Sequence, residues 1–227
     1  MYHVNDMPPP LPTELIEQLQ AVETATVGHW HLFGFMDPGI QPILGGKRVV
    51  GNAVTVAIPG ADSTLLHHAT GLLRPGDVLV VDRLGDRRHA CWGGGVTVAA
   101  KAAGAAGGVV DGPCTDLSEI EQSDFPVWCR GFSPITTRLY NLGGGLNIPI
   151  SCGGAPVLPG DVVLADESGV LVLRRDEAAA IALEALRRQQ LSVTREAAVR
   201  NGKKLGDLTG ASAKVMAARV PPQTPAQ

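Results

Sequence analysis

The sequence predicts an α/β protein, a single compact α/β sandwich built on a mixed sheet or small barrel. Three observations predict it. Short apolar runs alternate with helix-period segments between residues 48 and 129. Closely spaced short strands follow between residues 148 and 173, separated by Gly and Pro, and this pattern reads as hairpins or part of a small barrel. Finally, 227 residues with 44% hydrophobic and 18% charged side chains are enough for one substantial core and too apolar for disorder.

Leu11, Leu15, Ile16, Leu19 and Val22 recur at helical spacing, so a helix is expected over 11–24, opened by Pro12 and Thr13. Val-rich Arg48–Ile58 reads as a strand closed by Pro59-Gly60, and Ser63–Leu73 as a helix. Pro75-Gly76-Asp77 turns into a fully apolar strand at Val78–Val81. Val96–Ala103 is expected as a small-residue helix, Gly108–Val110 as a buried strand, Asp116–Gln122 as a short helix and Pro126–Cys129 as a strand. Further strands are expected at Ile148–Ile150, Ala155–Leu158, Val162–Ala165 and Val170–Leu173, then an Ala-rich helix over Asp176–Arg200 with charges spread around it. One domain is expected over 1–220, with a disordered Pro-rich tail over 221–227. Pro75–Asp82 is echoed by Pro159–Asp166, either as a repeated turn-into-strand device or as pseudo-symmetry within one core.

Several function classes are disfavoured at once. A net charge of −3, a pI near 6.1 and 4% aromatic residues fit neither phosphate-backbone binding nor a base-stacking platform, so no nucleic-acid partner is expected. The most apolar segment, 96–110, is interrupted by Lys101 and several glycines, so no membrane span is expected. Residues 1–12 lack a cationic lead and apolar run, and Cys91, Cys114, Cys129 and Cys152 form no CxxC pair. Reduced, mostly buried thiols and a cytoplasmic location are therefore expected, and not a cysteine zinc site.

Two loops stand out, each between an apolar strand and a helix. Trp92-Gly93-Gly94-Gly95 leads into the Val96 helix. Its exposed N–H groups at a helix start suit a carboxylate or phosphate, although a tight turn alone also needs glycine. No Lys-Ser/Thr follows and no dinucleotide spacing is present. In Asp111-Gly112-Pro113-Cys114-Thr115-Asp116, Asp116 with Glu119 three residues on has the form of a capping box. A loop carboxylate can also hold Mg²⁺ or Mn²⁺. His67 and His68 read as core or interface residues. His89, near the glycine loop, is a candidate for proton transfer, and Cys114 a candidate cleft residue.

The order and spacing of Pro75–Asp82, Ala90-Cys91-Trp92-Gly93, 99–104, Val110-Asp111-Gly112, Phe125-Pro126-Val127, Arg130-Gly131, Asn147–Ile150, Gly153-Gly154, Pro159-Gly160-Asp161, Ala165-Asp166 and Gly169-Val170 resemble the RraA-like family. That family includes the 4-hydroxy-4-methyl-2-oxoglutarate aldolases and the RraA-type regulators of ribonuclease activity. The resemblance covers about residues 50–178 and implies a swivelling-domain type α/β sandwich, assembled as a trimer or a dimer of trimers with its site in a cleft between subunits. It further implies that Gly93, Gly94, Gly95 and Val96 hold the carboxylate and keto group of a small 2-oxo acid through backbone amides. Asp116 would bind Mg²⁺ or Mn²⁺, largely through water, and pyruvate would be released by retro-aldol cleavage or oxaloacetate decarboxylation. Two positions depart from the pattern. Thr115 stands where the family has a substrate-contacting arginine, and Gly94 where an acidic residue often follows the first loop glycine. Thr115 is carried over as a substrate-binding and catalytic position. Arg83, Arg87, Arg88 and Arg130 are candidates for the missing charge, with Arg87 and Arg88 preferred for their closeness to the glycine loop and Arg88 taken as the catalytic cation. The alternatives are a non-catalytic regulatory or binding protein, or a different reaction at the same metal site.

Overall fold

The computed structural model describes residues 1–219. The described residues divide into two compact units, Met1–Leu183 and a second from Glu184 onward. The first unit begins with β1 (Tyr2–Val4), α1 (Thr13–Gln20), α2 (Thr24–Val27), β2 (Gln41–Pro42), β3 (Val49–Ala57), α3 (Thr64–Thr70) and β4 (Asp77–Asp82). It continues through α4 (Gly94–Ala102), β5 (Gly107–Val110), α5 (Leu117–Ser123), β6 (Val127–Cys129), β7 (Gly144–Leu146), β8 (Ile150–Cys152), β9 (Ala155–Val157), β10 (Val162–Asp166) and β11 (Gly169–Leu173). Helix α6 (Ala178–Arg200) starts in this unit and continues into the second, which also holds α7 (Leu205–Thr209) and α8 (Ala211–Ala217).

The main sheet runs β1-β7-β3-β4-β5-β6-β2, with β10 and β11 joined through β3. Strands β3 to β6 are parallel neighbours, whereas β7 and β10 meet β3 antiparallel, so the sheet is mixed as expected. Both faces are buried, and side chains alternate between two cores with period two. Val54, Val56, Leu79, Val81, Val110 and Val127 face the core that α3, α4 and α5 close with Leu66, Ala100 and Ile120. Ala53, Val78, Val80, Val109 and Trp128 face the opposite core, closed by Cys152, Val157 and Val172 of β8, β9 and β11. One layer of helices and one of short strands therefore sandwich the parallel ladder, and β4 and β5 deliver their C-terminal ends beside the start of α4 and α5.

The expected elements are found with shifted ends. The helix expected over 11–24 stops at Gln20, and a second short helix starts at Thr24. There the Thr24 N–H and hydroxyl donate to the Asp166 carboxylate at 2.9 and 2.6 Å. The strand expected at Ile148–Ile150 begins instead at Ile150. Asn147 is left-handed (φ +52) and its side-chain amide donates to the Asp6 carbonyl at 3.1 Å, while Pro149 has no N–H for a ladder. Strand β7, a glycine-rich segment, carries almost no side-chain pattern and was not expected. The tail expected over 221–227 lies outside the described residues.

The internal echo is a repeated local device. Gly76 and Gly160 both have φ +85, and Asp77 and Asp161 each accept an N–H from three residues back, at 2.9 and 2.8 Å. At the far ends, Asp82 and Asp166 each accept an N–H from two residues on. The two strands flank β3 in opposite senses, each meeting Asn52 (Asp77 on one side, Val162 on the other).

Candidate functional site

The first unit has a cleft of about 540 Å³ over the N-terminus of α4. Its wall and floor come from Gly93, Gly95, Val96, Thr115 and Asp116, with Ser63, His67 and Thr70 of the α3 region, Ala90 and Cys91, and residues 136–139. Parallel-sheet topology explains why positions more than twenty residues apart meet here. β4 and β5 are neighbours, so the loops leaving their C-terminal ends lie side by side. The Thr115 N–H donates to the Trp92 carbonyl at 2.9 Å and joins the two loops directly. Trp92 itself is buried, its indole N–H donating to Thr97 Oγ1 at 2.9 Å and its ring stacked on Phe125.

The first intrahelical bond of α4 runs from the Thr97 N–H to the Gly93 carbonyl at 3.0 Å. The Gly94, Gly95 and Val96 N–H groups precede that ladder and are the orphan donors of a helix start. The Gly94 N–H donates to Asp116 Oδ2 at 3.0 Å. Gly95 and Val96, which line the cleft, are the donors left for a ligand anion. Asp116 is therefore not the capping box expected from sequence. It makes no side-chain cap bond to its own helix α5 and instead caps α4 from a left-handed backbone (φ +54, ψ +46). Asp tolerates that conformation better than most residues, at a cost of about 1–3 kcal/mol. Its Oδ1 accepts the Thr115 hydroxyl at 3.2 Å, so Thr115 is oriented toward Asp116.

Two glycines make room for carboxylates. A Cβ on Gly93 would overlap Asp116 Oδ2 and lie 2.8 Å from Thr115 Cγ2. A Cβ on Gly94 would overlap the carboxylate of Glu119. Glu119 thus occupies the space a side chain at position 94 would fill, and brings an acidic group to the loop. The capping-box spacing singled out Glu119, but not this position for it.

The cations are distributed differently from the sequence expectation. Arg88 is exposed and is not among the residues lining the cleft; its backbone is held by the Asp86 carboxylate and the Ser133 hydroxyl. Arg87 pairs with Asp111 at 3.2 Å, while Arg130 pairs with Asp111 and with Asp37 at 2.6 Å. Arg83 is fully buried, donating to the Gly60 and His89 carbonyls, and its Nε and Nη1 find no partner among the described residues. The arginine that lines the cleft is Arg138, from a segment without helix or strand periodicity that gave no sequence signal. His67 lines the cleft as an exposed residue, not as a core histidine, and His68 is exposed too. His89 Nδ1 lies 2.9 Å from Asp86 Oδ2 and lines no part of the cleft. Cys114 is fully buried and does not reach it; Cys91 does. Burial pushes the Cys91 thiol up to about 11, which keeps it protonated near neutrality and removes it as a nucleophile.

Comparison with known proteins gives a consistent family. The family model described as RraA-like (Aldolase/RraA) matches residues 23–172. A protein of Halalkalibacterium halodurans named "Putative 4-hydroxy-4-methyl-2-oxoglutarate aldolase" is 36% identical over 70% of this chain and 76% of its own length. Among solved structures, Streptomyces coelicolor RraAS2, titled an unusual member of the RNase ES inhibitor RraA protein family, superposes with TM-score 0.73 at 28% identity. It covers 85% of this chain and 98% of that one. An RNA-processing inhibitor RraA from Thermus thermophilis gives TM-score 0.57 at 29% identity, over 61% of this chain and 84% of that one.

Proposed function

This chain belongs to the RraA-like family, and on that premise we propose that it is a divalent-metal-dependent lyase that releases pyruvate from a small 2-oxo acid. The reaction is retro-aldol cleavage of a 4-hydroxy-2-oxo dicarboxylate, with oxaloacetate decarboxylation as a related activity of the same site. The observation that carries this reading is the meeting of the α4 N-terminus with Asp116 in one open cleft. In this reading the Gly95 and Val96 N–H groups hold the substrate carboxylate, with the positive end of the helix behind them.

The residues present fit Mg²⁺ or Mn²⁺. Asp116 and Glu119 are hard oxygen donors, both exposed, and Asp116 keeps lone pairs beyond those facing Gly94 and Thr115. Among the described residues no three His, Cys, Asp or Glu side chains gather as a metal cage, so the ion would keep much of its water shell, as Mg²⁺ prefers. When bound, it supplies a Lewis acid for the keto oxygen. Asp116 would hold it, and the bond from Gly94 fixes that carboxylate against the helix start. Thr115 keeps the second Asp116 oxygen in place but carries no charge toward the substrate.

The site is expected to work in a homotrimer or a dimer of trimers, which light scattering on purified protein measures. The test of function is pyruvate release from oxaloacetate and from 4-hydroxy-4-methyl-2-oxoglutarate, with metal-stripped protein, with and without Mn²⁺. The expected result is metal-dependent turnover that Asp116→Ala lowers by a hundredfold or more, on the order of a lost preorganised electrostatic group. No turnover by a folded oligomer would sink the lyase reading.

A second reading, a non-catalytic regulatory protein, draws on the uncharged Thr115 and on the likeness to the RraA proteins of Streptomyces coelicolor and Thermus thermophilis. It predicts capture of a ribonuclease partner by protein that neither binds Mn²⁺ tightly nor turns over. A different reaction at the same metal site would instead show tight Mn²⁺ binding without pyruvate release.

A further inference from the structure

We propose that Arg138 is the residue that grips a carboxylate of the ligand in this cleft. The inference deepens the reading of the cleft as a 2-oxo acid site, and it assigns a residue that sequence reasoning did not reach.

The argument begins with charge. A small dicarboxylate entering the cleft meets Asp116 on its rim and Glu119 beside the glycine loop, both of which repel it. Two backbone N–H groups at a helix end offset only part of that repulsion. The arginine candidates from sequence do not supply it: Arg87 and Arg130 pair with Asp111, Arg83 is buried, and Arg88, the preferred catalytic cation, does not line the cleft. Arg138 lines the cleft with Thr115 and Asp116. Its guanidinium donates to the Thr136 carbonyl at 3.3 Å, and it forms no ion pair with a carboxylate among the described residues. An arginine fork next to an open cleft, with most of its five donors unspent, suits a planar carboxylate.

The backbone around Arg138 is held as a binding residue requires. Its N–H donates to the Ala61 carbonyl at 2.8 Å, and its carbonyl accepts the Ser63 N–H at 2.9 Å. Just beyond it in the chain, the Tyr140 and Leu142 N–H groups donate to the buried Asp62 carboxylate at 3.0 and 2.7 Å. The segment is thus fastened at Arg138 and after it, while the side chain remains exposed to the cleft. The same anchor ties it to the start of α3, whose His67 lines another part of the wall. A ligand that places one carboxylate at the Gly95 and Val96 N–H groups would set a second at Arg138, which selects dicarboxylates over monocarboxylates.

The test measures binding apart from turnover. Oxalate, malonate and pyruvate are titrated calorimetrically into the full-length protein with Mn²⁺, using wild type, Arg138→Ala and Arg138→Lys. The expected result is that Arg138→Ala weakens malonate by about tenfold to a hundredfold, the loss typical of a charge-assisted pair, and weakens pyruvate less. Arg138→Lys should recover part of the malonate affinity, and an unchanged thermal midpoint shows that folding is intact. Equal affinities in wild type and Arg138→Ala would overturn the assignment, as would failure of the wild type to bind any of the three. Arg138-dependent binding with no pyruvate release from any substrate would leave Arg138 assigned and remove the lyase reading.

Discussion

Gly93, Gly94 and Gly95 look equivalent in sequence but have three different reasons to lack a side chain. At Gly93 a methyl group would collide with the carboxylate of Asp116; at Gly94 it would collide with Glu119, and at Gly95 it would meet nothing within 4 Å. The expected order of damage follows. Gly93→Ala displaces Asp116 and reduces Mn²⁺ affinity and turnover. Gly94→Ala does so less, because Glu119 is a flexible side chain that can move, and pairing it with Glu119→Ala should relieve most of the overlap and recover stability, though not the Glu119 carboxylate itself. Gly95→Ala should retain binding and gain up to about 1 kcal/mol of stability from the better helix former. Titration of Mn²⁺ by electron paramagnetic resonance, with urea melts in parallel, checks the series. A Gly95→Ala defect as large as that of Gly93→Ala would refute this account of the loop.

At the scale of elements, Asp62 joins the start of α3 to the segment that carries Arg138. It accepts the Thr64 N–H and hydroxyl at the start of α3, and the N–H groups of Tyr140 and Leu142 beyond Arg138. Burial disfavours its charge, but the hydrogen bonds from Thr64, Leu142 and Tyr140 outweigh that and lower its pKa to about 2. The folded-state pKa is depressed below the unfolded value near 3.9, so its contribution is fully present above that value. It is lost as pH falls from about 4 toward 2. The contribution is on the order of 2 kcal/mol. Asp62→Asn should cost a similar amount at pH 7 and flatten this part of the acid-unfolding curve. An acid midpoint for the Asp62→Asn variant equal to that of wild type would show that the four bonds contribute little.

At the scale of the whole molecule, the two units are unequal. Met1–Leu183 contains the sheet, the cleft and most of both cores. In the second unit α7 and α8 bury no residue, and Leu205, Leu208, Val215 and Met216 are exposed. A chain that stops at Asn201 should therefore unfold within about 2 °C of the full-length midpoint, because helices that bury no residue remove little apolar surface from water. Differential scanning calorimetry settles it, and a drop of about 5 °C or more would mean that these helices stabilise the fold. No helix among the described residues is long and apolar enough to cross a membrane.

What the sequence determined by itself was whatever depends on local pattern. The Val-rich runs at β3 and β4 announced two strands with the helix α3 between them, because side-chain period follows backbone geometry; their parallel pairing was left to the structure. The glycines before Val96 and the acid at Asp116 marked out the two loops as candidates for an anion and a cation, because φ freedom, N–H exposure and carboxylate chemistry are properties of single residues. The tertiary structure decided everything that depends on which loops become neighbours. Strand β7 became visible only through its partners β1 and β3, since glycine-rich strands carry little side-chain pattern. Asp116 became the cap of α4 and not of α5, because β4 and β5 pair and lay their loops together. Arg88, close to the glycine loop in sequence, does not line the cleft, while Arg138, more than forty residues beyond that loop, was brought to it by the bridge between Asp62 and its own backbone. Sequence distance measures chain length, and a cleft is assembled by strand order.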